Sequence, residues 1–228
     1  MPSTRKSSRR PVVIAGLSAL VLGITGTTTA AAVPSSVSRL AGEGWYDTVA
    51  TSSAADHQTV GDGNRILATP SAGLERLQQR ARDMGGNDLF VDEMTPALYR
   101  AAVRYGIDPT VMVAQSFHET AGGVFGRAVT PEHHNTCGLK VRNPVGPDTN
   151  PDDHATFASW DIGATAHAQH LLAYTGTPLP RGDTNVDPRW DWVFGKHAVE
   201  TLTDLGGKWA PSPMYGDRLH ATALRLLG

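Results

Sequence analysis

The sequence predicts a mainly α-helical domain with a small inserted lobe of loops or a hairpin. Apolar residues recur at helical spacing in several stretches between residues 74 and 227. Glycines, or an Asp-Pro pair, stand where these stretches end or begin, as helix boundaries require. Between residues 122 and 158 the periodicity is lost, and Gly and Pro recur among Asn, Asp and His. Long structured insertions are usually functional, so we expect this lobe to contribute to a site.

Six helices follow from the pattern, and the first four have a recognisable boundary signal. They are expected from Leu74 to Gly85, from Asp92 to Gly106, from Pro109 (with Asp108 as N-cap) to Glu119, from Ser159 or Asp161 to about Tyr174, and over residues 196–205 and 215–227. Within the lobe, residues 136–141 and 154–157 are expected to form either a small hairpin or an irregular lobe.

The first 32 residues have the organisation of a secretory signal peptide. Residues 1–10 are basic and contain no acid, residues 12–24 are apolar but too short to span a bilayer, and alanines at 30–32 fit a cleavage site. Arg9 and Arg10 leave open whether export is general or twin-arginine, and an uncleaved anchor is the alternative. We therefore expect a secreted, extracellular or cell-wall-associated protein with no integral membrane segment after cleavage.

Residues 33–87 are predicted to form a low-complexity tether that ends in a short helix, with ordered structure beginning at Leu74. Up to about residue 72 this segment is rich in Ser, Thr, Ala, Gly and Asp and poor in large apolar residues. Residues 88–228 remain as the candidate catalytic domain. That length is enough for a single packed core.

Charge and cysteine content exclude some classes of protein. The chain has 20 Lys and Arg against 22 Asp and Glu, and the signal peptide removes basic residues only. A net-acidic exported domain is a poor candidate for nucleic-acid binding. Cys137 is the only cysteine, so no internal disulfide is possible, and we expect it to be a buried small hydrophobe rather than a nucleophile.

Glu119 is the leading candidate for a catalytic residue. An apolar helix stem from Val111 to Phe117 leads to it, and Gly122 and Gly123 follow. Partial desolvation by such a stem raises the pKa of a carboxyl and keeps it protonated, as a general acid needs. The glycines are expected to let a polymeric substrate approach the backbone closely.

A zinc site is not expected. His118 and Glu119 resemble the start of the motif His-Glu-x-x-His, but Gly122 stands where the second His is required. His133, His134 and His154 are interpreted as polar loop residues that cap turns or contact sugar. We therefore predict neither a metal nor a cofactor.

Four segments in register resemble the glucosaminidase family of bacterial cell-wall hydrolases, from about Leu89 to Gly228. The first is Gly-Ile-Asp-Pro at 106–109 with Ala-Gln at 114–115 and Glu-Thr at 119–120. Asn-Thr-Cys-Gly-Leu-Lys at 135–140 is similar to the family's Asn-Leu-Phe-Gly-Ile-Lys turn. Phe-Ala-Ser-Trp at 157–160 with His-Ala at 167–168, and Pro-Met-Tyr-Gly-Asp-Arg-Leu at 213–219, are similar to its later segments.

The resemblance implies a lysozyme-like fold and endo-β-N-acetylglucosaminidase activity on the glycan strands of peptidoglycan, with Glu119 as general acid. Family members place a second carboxylate in the inserted lobe, where this chain departs from the usual pattern. Asp153 is favoured for that role, with Asp152 next, and Asp148 and Glu132 remain candidates. Either such a carboxylate or the substrate's own acetamido group must stabilise the far face of the sugar.

Substrate-binding residues are expected at Tyr215, which matches the family tyrosine near the acid, and at Asn135, Lys140 and Trp160. Trp190, Trp192 and Trp209 are further candidates for stacking on sugar rings. The protein is expected to act as a monomer. A lytic transglycosylase on the same substrate, or a non-catalytic exported wall-binding module, remains an alternative.

Overall fold

The computed structural model describes residues 60–126 and 128–228. The predicted signal peptide and the predicted tether up to residue 59 lie outside this part of the chain. Within it the fold is helical with isolated β-bridges and no sheet, and the prediction of a mainly α-helical, lysozyme-like domain is confirmed. Among the described helices, none is both long and apolar enough to cross a bilayer.

Six α-helices and four shorter helical turns make up the described chain. The α-helices are α1 (Leu74–Asp83), α2 (Thr95–Tyr105), α3 (Pro109–Thr120), α4 (Trp160–Thr175), α5 (Trp190–Val193) and α6 (Tyr215–Leu227). A π-helical turn, Leu89–Met94, leads into α2, and 3-10 turns occur at Pro131–His133, Pro151–Asp153 and Thr203–Leu205.

The helix that carries Glu119 begins as the sequence indicates. Asp108 is the N-cap of α3 and accepts a hydrogen bond from the Thr110 N–H at 3.0 Å, while Pro109 occupies the first turn. Gly106, with φ of 68°, ends α2 in the left-handed conformation that favours glycine. Of the two candidate caps for α4, Ser159 is the one that accepts from the Ile162 N–H.

Helix α3 is the centre of the domain, packed against both α2 and α6, while α2 also packs against α4. Its residues from Pro109 to Ser116 are all buried. A single large cluster of apolar side chains joins these helices. Its largest fully buried members include Phe90, Met94, Leu98, Met112, Leu171, Leu172, Leu202 and Leu219.

The prediction of a helix over residues 196–205 is wrong, since only Thr203–Leu205 forms a 3-10 turn. The backbone here bonds to another segment instead of to itself. The Ile66 N–H donates to the Glu200 carbonyl at 2.9 Å, and the Leu202 N–H donates to the Asn64 carbonyl at 2.8 Å. Those partners are distant in sequence, so helical spacing of apolar residues did not reveal them.

Residues 60–73 form an N-terminal strap, so ordered structure begins before Leu74. Ile66 is completely buried, and its carbonyl accepts from the Asp108 N–H at 2.9 Å. The Asp108 carboxylate accepts from the N–H groups of Gly63 and Ser71, both at 3.1 Å. The strap's small polar residues resemble a tether in composition, but they suit close turns around one buried carboxylate.

The inserted lobe contains a minimal hairpin, as predicted. Lys140 and His154 form an antiparallel bridge. The Val141 N–H donates to the Asp153 carbonyl at 2.9 Å, and the Ala155 N–H donates to the Leu139 carbonyl at 2.8 Å. The lobe therefore folds back on itself beside the end of α3.

Replacing Ile66 by Ala tests whether the strap belongs to the folding unit. Because Ile66 is fully buried, the substitution should lower the free energy of unfolding by about 2–5 kcal/mol in chemical denaturation. Leu67→Ala is the matched control, since the neighbouring Leu67 is 37% exposed and should cost much less. Equal and small effects at both positions would contradict a packed strap.

Candidate active site

Glu119 lies in the last turn of α3, where the helix ends at Thr120 and Ala121 adopts φ of 51°. The glycines that follow have a structural role, contrary to the expectation that they admit substrate. A Cβ at Gly123 would collide with the side chain of Asn87. Gly138 in the lobe is the glycine beside the acid, because a Cβ there would lie 3.8 Å from Glu119 Oε2.

The Glu119 carboxyl is partly buried and held by one strong hydrogen bond. The Tyr215 hydroxyl, at the start of α6, donates to Glu119 Oε1 at 2.5 Å. Burial raises the pKa of Glu119, and the bond from Tyr215 lowers it by a smaller amount, so the pKa remains above its ordinary value. A carboxyl in this state keeps its proton closer to neutral pH, as a general acid requires.

A chain of buried polar side chains continues behind Tyr215. Gln115, one turn before Glu119 on α3, donates from Nε2 to the Tyr215 hydroxyl oxygen at 2.9 Å. Its Oε1 lies 2.9 Å from His167 Nε2, and His167 Nδ1 lies 3.1 Å from Thr136 Oγ1. Helices α3, α4 and α6 and the lobe turn therefore meet in one hydrogen-bonded network that ends at the carboxyl.

A cleft of about 420 Å³ opens in front of Glu119. On the lobe side it is lined by Cys137, Gly138, Leu139, Lys140, Asp148 and His154; on the helical side it is lined by His170, Tyr174, Arg189, Val193, Lys208, Trp209, Ala210 and Pro211. Its wall combines aromatic and charged side chains, which suits a polar ligand that also has apolar faces.

Lys140 lies in the cleft wall, as expected for a substrate-binding residue. Its Nζ is 3.2 Å from Asp148 Oδ1 and 3.0 Å from His154 Nε2. The side chain of Asp148 is 99% exposed, and its ion pair is with Lys140. Lys140 therefore connects the hairpin to the one lobe aspartate that lines the cleft in the described structure.

The structure does not place Asp153 at the cleft, contrary to its predicted role as the second carboxylate. Asp153 is buried in the lobe, where Oδ1 accepts from the Val145 N–H at 2.9 Å and Oδ2 accepts from the Gly146 N–H at 2.6 Å. The backbone bond from Val145 is the main cause of the lowered pKa of Asp153. Asp152 is exposed and does not line the cleft either.

Asn135 and Trp160 also lie apart from the cleft lining. Asn135 is completely buried, and its side chain donates to the carbonyls of Leu139 and Ala155 at 2.8 and 2.9 Å. It therefore ties the two sides of the hairpin together. Trp160 packs edge-on against His134. Trp209 is the candidate tryptophan that lines the cleft.

Sequence reasoning missed a second polar pair in the cleft. His170 Nδ1 lies 2.8 Å from Asp187 Oδ2, and both side chains are buried. Asp187 Oδ1 also accepts from the Arg189 N–H at 2.8 Å. The helical spacing of His170 was visible in the sequence, but the loop that supplies Asp187 has no periodic pattern that predicts the pairing.

Cys137 is buried at the cleft wall, and burial raises the pKa of its thiol well above its ordinary value. A thiol in this state is a poor nucleophile. Among residues 60–126 and 128–228, no three or more His, Cys, Asp or Glu side chains are grouped so that they could hold a metal ion.

A helical domain with a hairpin lobe and a desolvated carboxyl in its cleft agrees with the lysozyme-like class of fold. The model of the glucosaminidase family, described as mannosyl-glycoprotein endo-beta-N-acetylglucosaminidase, matches residues 95–226. That match covers more than half of the chain, so the chain belongs to the glucosaminidase family of glycoside hydrolases, as its motifs predicted.

An uncharacterized protein of Borreliella burgdorferi (strain ATCC 35210 / DSM 4680 / CIP 102532 / B31) is similar to this chain. The two are 30% identical over 122 residues, which is 54% of this chain and 56% of the relative. The chain thus spans about half the length of this curated relative.

Replacing Asp153 by Asn tests its structural role in the lobe. An amide oxygen can accept only one of the two backbone bonds well, so the thermal midpoint should fall, whereas Asp152→Asn should leave it unchanged. Folding lowers the pKa of Asp153, so its ionised carboxylate stabilises the folded state fully above the unfolded pKa of about 3.9. This stabilisation is lost as the pH falls through the lower pKa of the folded state. The difference in midpoint should therefore shrink in acid. Equal midpoints for the two variants near neutral pH would contradict this role.

Replacing Tyr215 by Phe tests the coupling between this hydroxyl and Glu119. The bond from Tyr215 lowers the pKa of Glu119, so its loss should raise that pKa further. An acid catalyst is active while protonated, and activity is lost as pH rises through its pKa. The alkaline limb of the pH–rate profile should therefore move to higher pH in Tyr215→Phe. Tyr99→Phe, a change in a partly buried ring packed on the core, is the control and should leave the limb in place.

Proposed function

We propose that this protein is a peptidoglycan hydrolase that cleaves the β-1,4 bond after N-acetylglucosamine in glycan strands. The observation that carries the proposal is the Glu119 carboxyl, which is partly buried at the cleft, has a raised pKa and is held by Tyr215. Membership of the glucosaminidase family supports the same class of substrate. The predicted export signal is consistent with action on the wall outside the cell, and we propose a monomer.

In this mechanism Glu119 donates its proton to the leaving glycosidic oxygen while an oxocarbenium-like state develops at the anomeric carbon. Desolvation of the Glu119 carboxyl makes its protonated form available. Trp209, which packs on the buried Tyr174 ring, offers an aromatic surface to a sugar ring in the same cleft. Lys140 and Arg189 supply donors for the hydroxyl, acetamido or carboxylate groups of the strand.

For the far face of the sugar we propose a different carboxylate from the one that the sequence favoured. Both Asp153 oxygens are occupied by backbone N–H groups, so we assign the lobe position to Asp148, which lines the cleft beside Lys140. The exposed position of Asp148 favours a role in guiding water rather than a covalent bond to the sugar. The substrate's acetamido group is the alternative partner.

A lytic transglycosylase is the second candidate function, and one observation favours it. Apart from Glu119, the carboxylate that lines the cleft in the described chain is the solvent-exposed Asp148. A transglycosylase needs no carboxylate that activates water, because the 6-hydroxyl of the sugar attacks instead.

Glu119→Gln should remove the proton donor while keeping the shape of the side chain. Turnover of purified cell walls should fall by about 10²–10⁴-fold, the usual effect of losing a general acid. Asp152→Asn serves as the control, since Asp152 is exposed and does not line the cleft. A Glu119→Gln variant with wild-type lysis would exclude Glu119 as the acid.

The products released from purified walls distinguish the candidate functions. Hydrolysis after N-acetylglucosamine should leave N-acetylglucosaminitol ends after borohydride reduction, detected by mass spectrometry. N-acetylmuramitol ends would identify a muramidase, and anhydro-muropeptides would identify a transglycosylase. Binding to walls without release of any fragment would identify a wall-binding module.

A further inference from the structure

Five polar side chains form one continuous hydrogen-bonded path into the active site. The path runs from Thr136 through His167, Gln115 and Tyr215 to Glu119, with successive distances of 3.1, 2.9, 2.9 and 2.5 Å. The first three side chains are completely inaccessible to solvent, and Tyr215 is only 5% exposed. Water therefore does not reach the first three members of the path, and it contacts the path at the Glu119 end, where the cleft opens.

Two arrangements of hydrogens satisfy the same heavy-atom positions. In the forward arrangement, Thr136 donates to His167 Nδ1, His167 Nε2 donates to Gln115 Oε1, the Gln115 amide donates to Tyr215, and Tyr215 donates to Glu119. In the reverse arrangement the Gln115 amide is turned over and every donor becomes an acceptor. A neutral imidazole carries one N–H, so the two arrangements correspond to the two tautomers of His167.

His167 is neutral and can take only one of these two roles at a time. Burial, with a smaller contribution from the charge of His170, lowers the pKa of His167 to about 3. A protonated ring that donates at both nitrogens is therefore disfavoured above that pH.

Only the forward arrangement leaves the Glu119 proton available to a substrate. There the Tyr215 hydroxyl donates to Oε1, so the carboxyl's own proton lies on Oε2, the oxygen beside Gly138 at the cleft. In the reverse arrangement Glu119 must donate its proton to the Tyr215 oxygen. The acid would then keep its proton in a buried bond and would not present it to the glycosidic oxygen.

Thr136 favours the forward arrangement because its hydroxyl has one good acceptor. In the described part of the chain, the oxygen or nitrogen bonded to Thr136 Oγ1 is His167 Nδ1. If Thr136 accepted a bond from His167, its own hydrogen would be left with the neighbouring Cys137 sulfur, which is a weak acceptor.

We propose that Thr136, acting through His167 and Gln115, sets the direction of this path and so aims the Glu119 proton at the cleft. Thr136, His167 and Gln115 are thus positioning residues that do not touch substrate. The inference rests on the proposed role of Glu119 as acid, but its central claim concerns a tautomer, which is measurable without any substrate.

Nitrogen-15 NMR of the histidine rings in the wild-type protein tests the direction of the path. The imidazole shifts should identify His167 as the Nε2–H tautomer, with no change across the pH range in which the protein is folded. A His167 ring in the Nδ1–H tautomer, or one that becomes protonated in that range, would overturn the inference. This measurement does not depend on whether any variant folds.

Variants of Thr136 test the effect on turnover. Thr136→Val keeps the shape but removes the hydroxyl, so it should lower kcat on soluble glycan fragments roughly tenfold with little change in KM, and should give a mixture of His167 tautomers. Thr136→Ser should restore both readouts. Thr95→Val is the matched control, since Thr95 is also completely buried and its hydroxyl donates to the Phe90 carbonyl away from the cleft.

The outcomes separate the two proposals. If Thr136→Val keeps the wild-type kcat and tautomer, or if Thr95→Val lowers kcat as much, the positioning role is wrong while the proposed hydrolase stands. A wild-type protein that releases no glycan fragments but shows the Nε2–H tautomer would defeat the proposed function and leave the assigned direction of the path intact.

Discussion

The whole domain depends on keeping the Glu119 carboxyl partly out of water at the end of a helix. Desolvating a carboxyl costs free energy, and the cost is met by packing α3 between α2 and α6 and by one bond from Tyr215. Burial of the Glu119 carboxyl costs free energy, but it also raises the pKa of that carboxyl, as a general acid requires. The position of α6 is therefore as important to the site as that of α3.

Helix boundaries were predictable because their signals are local. Asp108 and Pro109 begin α3, Gly106 ends α2, and Ser159 begins α4, each through contacts within a few residues in sequence. The strap at 60–73 and the extended backbone near residue 200 were not predictable in this way. The hydrogen bonds between these two segments join residues more than 130 positions apart, and nothing in a short window of sequence reports such a partner.

In the candidate site, too, the residues with a local sequence signal were predicted and those fixed by the folded loop were not. Glu119 and Tyr215 were found because each stands in a motif, and the structure brings their side chains together. Tyr215 is buried and does not line the cleft, so it contacts the acid and not, as predicted, the substrate. The lobe aspartates could be ranked only by position in the chain, and that ranking favoured Asp153. What decides their roles is which oxygens the folded loop already uses, and for Asp153 the N–H groups of Val145 and Gly146 use both.

The region that matches the family model begins at residue 95, but a fragment that began there would lose hydrogen bonds that the folded domain makes. The buried Asp108 carboxylate that caps α3 takes hydrogen bonds from Gly63 and Ser71 of the strap. A fragment starting at residue 95 would keep every motif of the family yet leave that carboxylate with fewer donors, at the base of the helix that carries Glu119. The segment that matches the family model is thus shorter than the segment that folds, because the folded segment includes the strap. A fragment made for expression should therefore include the strap.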